Sequence, residues 1–267
     1  MRWLKAYPTL IKAYWARALQ YRAQIFIWVL SSSLPLIMMM VWITIAQQNA
    51  DGTVNGFSQL DFISYYLAVT FMRRMTGVWI IWDLDRDIRL GMLSPQLLRP
   101  IDPMHHYFVR SVIAIRPVQF MIIAPPVFLA MWLFGAQYDL RPFNIFLMLF
   151  AAFSASLIEF FAQALIGMLA FWITQVISII NAWFLLRALF SGWIIPIAMF
   201  PATVVTALVY LPFRYMLSFP IEIFLGNLTA AEIGLGFAIQ WGWILALFAG
   251  YRLLWRTGLK HYSAVGA

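Results

Sequence analysis

The side chains of this chain that could do chemistry are concentrated between two apolar stretches. Asp83, Asp85 and Asp87 alternate there, with Arg86 and Arg89 among and after them. Alternating carboxylates share one face on a strand, whereas on a helix each two-residue step turns them by about 200°. No strand is expected beside a membrane span, so the pattern argues against a metal site and for a short helix.

This short helix is predicted to be amphipathic. Leu84 and Ile88 form an apolar edge, and the acidic residues precede the basic ones, as the helix dipole favours. Gly91 and Pro95 end the helix, and further apolar residues follow: Met92, Leu93, Leu97 and Leu98. A solvated loop would not need these side chains, so we favour a helix that docks on a partner.

A second group of polar side chains, Asp102, His105 and His106, precedes the next apolar stretch. Neighbours on a helix point about 100° apart, so the two histidines are poorly placed to bind one metal ion. An interfacial role is therefore favoured. The alternative is an integral-membrane enzyme that acts on lipids, with these three side chains at headgroup level.

Charged residues also fall inside apolar stretches, where they are costly. Arg73 and Arg74 are predicted near the middle of one span. Glu159 lies at a comparable depth in another, with Gln163 one turn further on the same face. Glu159 is expected to pair with Arg73 or Arg74. Alternatively, these arginines and Arg187 line a path, which would suit a permease or an anion channel.

No motif for hydrolytic chemistry is present. The sequence lacks G-x-S-x-G, H-E-x-x-H and G-x-x-x-x-G-K-[ST], so it offers no catalytic residues, no metal site and no phosphate-binding loop. Any ATP hydrolysis that drives this protein is therefore expected on a separate subunit.

Composition predicts an all-α polytopic membrane protein. Of 267 residues, 64% are hydrophobic and 10% are charged, and the mean hydropathy is +0.83. The net charge of +8 fits membrane orientation better than nucleic-acid binding. Six spans of about 20 residues are predicted: TM1 Ala23–Ala46, TM2 Phe62–Ile81, TM3 Val112–Phe134, TM4 Ile145–Met168, TM5 Ile177–Met199 and TM6 Ile233–Tyr251.

Basic residues predict the orientation of these spans. They are concentrated in residues 1–22, in the loop after TM2 and in residues 252–260, which places that loop and both termini in the cytoplasm. Residues 1–22 also carry an apolar and aromatic stripe at helical spacing, which predicts an interfacial helix. The stripe comprises Trp3, Tyr7, Leu10, Tyr14, Ala18 and Tyr21.

The stretch from residue 200 to residue 232 is apolar but divided. Pro201, Pro212 and Pro220 interrupt it, and Arg214 and Glu222 lie within it. We predict two short helices that dip into the outer leaflet and return. Irregular backbone at this depth must be buried in protein or line a wet cavity, so the segment is either packed in the bundle or part of an exit gate.

Two patterns resemble a known family. Residues 88–100 read I-R-L-G-M-L-S-P-Q-L-L-R-P, and Phe-Pro or Leu-Pro-Phe steps recur at 200–201, 211–213 and 219–220. With a basic helix before six spans, the chain resembles the permease subunits of ABC-2 type exporters, in their DUF990-like branch. The resemblance implies one transmembrane domain over residues 1–267, with an interfacial helix at 1–22, a coupling region at 83–103 and a reentrant segment at 200–232.

The resemblance also implies partners and roles. Two ABC ATP-binding subunits would hold Mg-ATP, with no cofactor in this chain. A second permease, identical or paralogous, would complete a path through the bacterial cytoplasmic membrane for an amphipathic or lipid-like molecule. The implied ATPase-coupling residues are Asp83, Leu84, Asp85, Asp87, Ile88, Arg89, Gly91, Leu93 and Leu97. The path or intramembrane polar residues are Arg73, Arg74, Glu159, Gln163 and Arg187. The outer-gate residues are Pro201, Pro212, Phe213, Arg214, Pro220 and Glu222.

Overall fold

Helices make up nearly all the regular structure in the residues that the computed structural model describes, 7–20 and 33–262. A two-stranded antiparallel hairpin, β1 (Thr53–Val54) and β2 (Phe57–Ser58), interrupts them. The helices are α1 (Tyr7–Gln20), α2 (Leu34–Gln48), α3 (Gln59–Thr76), α4 (Ile81–Arg89), α5 (Ser94–Leu97), α6 (Pro103–Phe108), α7 (Ile115–Leu133), α8 (Pro142–Met168), α9 (Ile177–Phe190), α10 (Ala202–Tyr210), α11 (Pro212–Met216), α12 (Ser218–Leu225) and α13 (Ala230–His261). A π-helical turn, Val109–Ala114, joins α6 to α7.

Within the described residues, three helical stretches are long and apolar enough to cross a membrane. They are Pro103–Leu133, Pro142–Phe171 and Ala230–His261, and α2 and α9 are shorter apolar helices. Large side chains on the three long stretches point away from the bundle, since Trp132, Phe146 and Leu245 are 77%, 62% and 64% exposed. Lipid accommodates such surfaces and water does not, which supports an all-helical integral membrane protein.

The predicted second span is divided in the structure. α3 ends at Thr76, residues 77–80 are not helical, and α4 begins at Ile81. Arg73 and Arg74 therefore lie in the last turn of α3, directly before the break. The prediction of a continuous helix was wrong because side chains of other helices replace the backbone bonds lost at the break.

Other predicted spans differ at their ends. α9 ends at Phe190 and not at Met199, and the helix that contains TM3 begins at Pro103. Asp102 caps that start, because its side chain accepts from the backbone N–H of Met104 at 2.8 Å. α2 contains the second half of TM1, whose earlier residues, 23–32, lie outside the described part of the chain.

The stretch from residue 200 to residue 232 forms three short helices and not the predicted two. Pro201 precedes α10, Pro212 opens α11 and Pro220 lies in the first turn of α12, all positions that tolerate a missing N–H. α12 packs against α3 and α8, and Phe219 and Ile221 on it are fully buried. The segment was predicted to be either packed in the bundle or part of an exit gate, and α12 is packed in the bundle.

The bundle has two ends of different composition. The α4 end contains α4, α5 and the C-terminal ends of α8 and α13, where Leu84 lies against Gly167. The α10 end contains the hairpin, α10 to α12 and the loop 134–141, whose Asp139 N–H donates to the carbonyl of Phe224 at 2.9 Å. α3 links the two ends through the core, where Tyr66 is fully buried.

Candidate functional site

The break between α3 and α4 is held by one side chain from α8. Gln163 donates to the carbonyl of Val78 at 2.6 Å and accepts from the N–H of Ile80 at 3.2 Å. These backbone groups have no helical partners because the chain leaves the helix here. Since a buried, unpaired backbone group is costly, the fully buried Gln163 is what makes this break stable.

Two more side chains satisfy carbonyl groups at the end of α3. Arg116 of α7 donates to the carbonyl of Arg74 at 3.0 Å, and Ser156 of α8 donates to that of Met75 at 3.1 Å. Arg116 also donates to the carbonyl of Ser111 in the π-helical turn at 2.9 Å. The break is therefore a defined structure fixed by α7 and α8.

Glu159 forms its ion pair with Arg187 of α9. The prediction that it pairs with Arg73 or Arg74 was wrong, because the Arg73 guanidinium instead lies over the ring of Trp193, 3.6 Å from the ring centroid. Glu159 is fully buried and Arg187 is 6% exposed. Such a pair must stay together, since separating a buried charge from its partner is strongly unfavourable.

The five predicted path residues lie close together in the structure. With Arg116 they form what we call the arginine cluster: Arg73, Arg74, Arg116, Glu159, Gln163 and Arg187. The charge of Arg73 interacts with those of Arg74, Arg187 and Glu159, and the charge of Arg116 interacts with the same three. A Cβ at Gly77 would lie 3.9 Å from both Arg116 Nη1 and Arg187 Nη2. Arg187 thus contacts the Glu159 carboxylate directly, and the charges of Arg73 and Arg116 also interact with it.

The three aspartates after α3 divide between two faces of α4. Asp83 and Asp87 both contact Arg86, at 3.1 and 3.2 Å, whereas Asp85 pairs with Arg89. Asp83 also binds Arg110, and Asp87 also binds Tyr107. The Arg89–Asp85 pair lies one helical turn apart at 2.6 Å, and the Tyr107 hydroxyl donates to Asp87 at 2.5 Å. The carboxylates therefore tie α4 to itself and to the start of the next long helix.

The apolar edge of α4 faces its own chain. Leu84 and Leu93 are fully buried and Ile88 is 4% exposed, all in one cluster with Phe160 and Trp255. The predicted partner-docking face is therefore not formed by Leu84, Ile88 and Leu93, because their burial instead fixes α4 on α8 and α13. The exposed side chains, which we call the coupling surface, are Leu90, Met92, Leu97 and Leu98.

The coupling surface includes residues on both sides of the turn at Gly91. That glycine has φ +71°, a left-handed conformation that other residues rarely adopt. Arg86 and Arg89 flank the surface and remain about half exposed, at 53% and 46% of their side-chain area. The region thus presents apolar side chains bordered by ion pairs, since Arg86 and Arg89 contact the aspartates of α4.

A cavity of about 520 Å³ opens at the α10 end, lined by the Arg214–Glu222 ion pair among other residues. The pair has an N–O distance of 2.5 Å, and Ser218 donates to Glu222 at 2.9 Å. Among the other predicted gate residues, Phe213 packs against Trp183 with ring centroids 5.6 Å apart. The predicted gate region therefore forms an ordered wall of this cavity, and the Arg214–Glu222 ion pair is part of that wall.

Asp139 orders the loop at this end in two ways. Its backbone N–H binds α12, as described above, and its carboxylate accepts hydrogen bonds from Arg141 and Asn144. The hydrogen bonds from Arg141 lower the pKa of Asp139 to about 2. This group therefore stays charged at any physiological pH.

A family model described as ABC-2 family transporter protein matches residues 33–266. The chain belongs to this family. No curated protein sequence matches it. The resemblance seen in the sequence is thus confirmed at the level of the family: the chain is a membrane permease of the ABC-2 type, a class that works with ABC ATP-binding subunits.

In this permease the two histidines lie beneath α1. The hydroxyl of Tyr7 is 2.8 Å from His105 Nδ1, and that of Tyr14 is 3.4 Å from His106 Nδ1. Asp102 is occupied elsewhere, since it caps α6 and accepts from Trp255 at 3.1 Å. Asp102, His105 and His106, which were the candidate side chains of a lipid-modifying enzyme, therefore contribute to helix packing. Trp3 and Tyr21 of the predicted stripe lie outside the described residues.

Several residues that hold the site were not predicted from the sequence. Ser156 and Arg116 are two of them. Tyr65 and Tyr66 on α3 donate to the carbonyls of Gly192 and Ile194, each at 2.7 Å, and so fix the chain after α9. Adjacent tyrosines inside an apolar span were a usable signal, because a buried hydroxyl needs a partner.

Proposed function

We propose that this chain is the membrane subunit of an ATP-driven exporter, in which two ATP-binding subunits dock on the coupling surface. The observation that carries this proposal is the position of Leu90, Met92, Leu97 and Leu98: three exposed leucines and an exposed methionine on the segment that follows α3 and the break. Large exposed apolar side chains of this kind mark interaction surfaces.

The proposal includes an orientation and six spans. Basic residues are concentrated at the α4 end, where the hydroxyl of Tyr262, just after α13, contacts the backbone N–H of Ser94 at 3.1 Å. Arg252, Arg256 and Lys260 therefore lie on the same side as the coupling surface, which the positive-inside rule assigns to the cytoplasm. The α10 end then faces outward and forms the exit gate.

The proposed action follows from how the break is built. Movement of the ATP-binding subunits would push α4, and α4 would transmit the push through Gln163 and Arg116 to the end of α3. A second permease, identical or paralogous, would provide the other wall of a path for an amphipathic molecule. ATP hydrolysis takes place on the partner subunits, which hold Mg-ATP.

Three leucine-to-aspartate variants test the coupling surface. Leu98 is 89% exposed, so Leu98→Asp should leave thermal stability unchanged and abolish the stimulation of the ATP-binding subunit in proteoliposomes. Leu84→Asp, at a fully buried position, should prevent folding. Leu140→Asp, at a position that is 65% exposed and at the other end, is the matched control and should change neither quantity.

Normal ATPase stimulation by the Leu98→Asp and Leu90→Asp variants would show that the docking surface lies elsewhere. Steady anion conductance of the purified chain in a planar bilayer without ATP would instead favour the anion channel.

A further inference from the structure

The charges within the bundle do not balance. All ten acidic residues of the chain lie in the described ranges, and Glu159 is the one that reaches the arginine cluster. Without counting Arg74, the positive charges of Arg73, Arg116 and Arg187 face the single negative charge of Glu159. Excess positive charge in a medium of low dielectric constant is unfavourable unless an anion offsets it.

Hydrogen-bond donors beside the cluster point to the same kind of ligand. Thr76 is fully buried, and its hydroxyl has no hydrogen-bond partner among the described residues. It follows Arg73 by three positions and so shares a face of α3 with it. The indole N–H groups of Trp193, under Arg73, and of Trp183, one turn before Arg187, are likewise buried and without a partner among the described residues.

An exposed aromatic stack lies near the cluster along the chain, since Phe184 precedes Arg187 by three residues and Trp79 follows Gly77 by two. The rings of Trp79 and Phe184 stack at 5.2 Å, and those of Trp82 and Phe184 lie nearly parallel at 6.4 Å. Trp79 and Trp82 are 47% and 41% exposed. Trp79 belongs to the break itself, between Gly77 and α4, so positive charge and an apolar platform meet at one place.

We propose that this place binds the oxyanion group of an amphipathic molecule, with its apolar part on the Trp79–Phe184–Trp82 stack. Phosphate, sulfonate and carboxylate groups all suit guanidinium and hydroxyl donors. This inference rests on the proposed function in one respect: the bound molecule would be the one that the permease exports. Binding itself needs neither ATP nor a partner subunit, so the two proposals fail separately.

The test is equilibrium binding to the full chain in micelles of a maltoside detergent, which carries no oxyanion, with the signal from empty micelles subtracted. The probes are dodecyl phosphate, dodecyltrimethylammonium and inorganic phosphate. Dodecyl phosphate should bind saturably, the cationic amphiphile should not, and inorganic phosphate at equal concentration should fail to displace the first probe. Equal binding of the two amphiphiles overturns the charge argument, and equal affinity for inorganic phosphate overturns the role of the aromatic stack.

Variants locate the binding. Arg73→Gln should weaken dodecyl phosphate binding by about tenfold, the loss expected for one charge-assisted hydrogen bond. Thr76→Val keeps the shape of the side chain and should weaken binding by roughly threefold, as for a neutral hydrogen bond. Arg141→Gln makes the same chemical change on an exposed loop and should have no effect. Unchanged affinity in both Arg73→Gln and Thr76→Val overturns the proposal.

Discussion

At the scale of single residues, the polar side chains inside this permease mostly support its backbone. Gln163 and Arg116 bond to carbonyl and amide groups freed at the break between α3 and α4. Gln240 does the same elsewhere, donating to the carbonyls of Ala151 and Tyr215 at 3.0 and 3.1 Å. In a membrane, where water cannot replace a lost partner, such side chains are what permits a helix to stop part-way across.

Gln163→Leu should therefore destabilise the permease although it barely changes volume. The substitution leaves one buried N–H and one buried carbonyl unpaired, at a cost of about 2–5 kcal/mol in total. A lower thermal unfolding temperature of the purified chain in detergent would report this loss. Gln137→Leu removes an amide from an exposed loop position and serves as the control. Equal unfolding temperatures for the two variants would mean that Gln163 does not hold the break.

At the scale of elements, the end of α3, residues 77–80 and α4 form one packed unit. Its apolar edge is buried, its carboxylates bind neighbouring side chains, and its break is bonded to α7 and α8. α4 is therefore connected to the arginine cluster through hydrogen-bonded contacts, as the proposed function requires. Gly77 is the position where this packing is tightest.

Gly77→Ala should strain the break. A Cβ there would lie 2.8 Å from the carbonyl oxygen of Arg73, which is backbone and cannot rotate away. We expect a destabilisation of about 1–3 kcal/mol, as for other overpacked sites, with weaker ATPase stimulation. Gly242→Ala is the matched control, because a Cβ there meets nothing within 4 Å. In the middle of α13 it should stabilise by about 0.5–1 kcal/mol. The prediction fails if both glycine variants shift the unfolding temperature in the same direction.

The sequence predicted these elements unevenly, for physical reasons. Apolar composition and length indicated α7, α8 and α13, because lipid imposes both properties. The break at Gly77 was not predicted, because the partners of its backbone groups, Gln163 and Arg116, come from distant parts of the chain. For the same reason the partner of Glu159 was chosen by depth alone, and Arg187, although predicted as a path residue, was not recognised as that partner. The pattern of Leu84 and Ile88 showed a buried edge but could not show what buries it.

At the scale of the whole molecule, the distribution of charge favours the proposed topology. The α4 end carries the basic C-terminal turns of α13, and the α10 end carries the hairpin and the Arg214–Glu222 pair. If α10 to α12 return to the side from which they started, α13 begins outside and its basic end lies in the cytoplasm. If they crossed instead, that basic end would lie outside, against the positive-inside rule.

Site-directed labelling tests this topology cleanly, because the natural chain has no cysteine. Single cysteines at the exposed positions Asp51, Arg99, Asn227 and Lys260 would be treated with a membrane-impermeant maleimide. We expect Asp51→Cys and Asn227→Cys to react in intact cells, and Arg99→Cys and Lys260→Cys to react only after permeabilisation. Reaction of Lys260→Cys in intact cells, with Arg99→Cys still protected, would show that residues 200–225 cross the membrane. In that case the coupling surface would still lie in the cytoplasm. The proposal that residues 200–232 form a reentrant exit gate would be wrong.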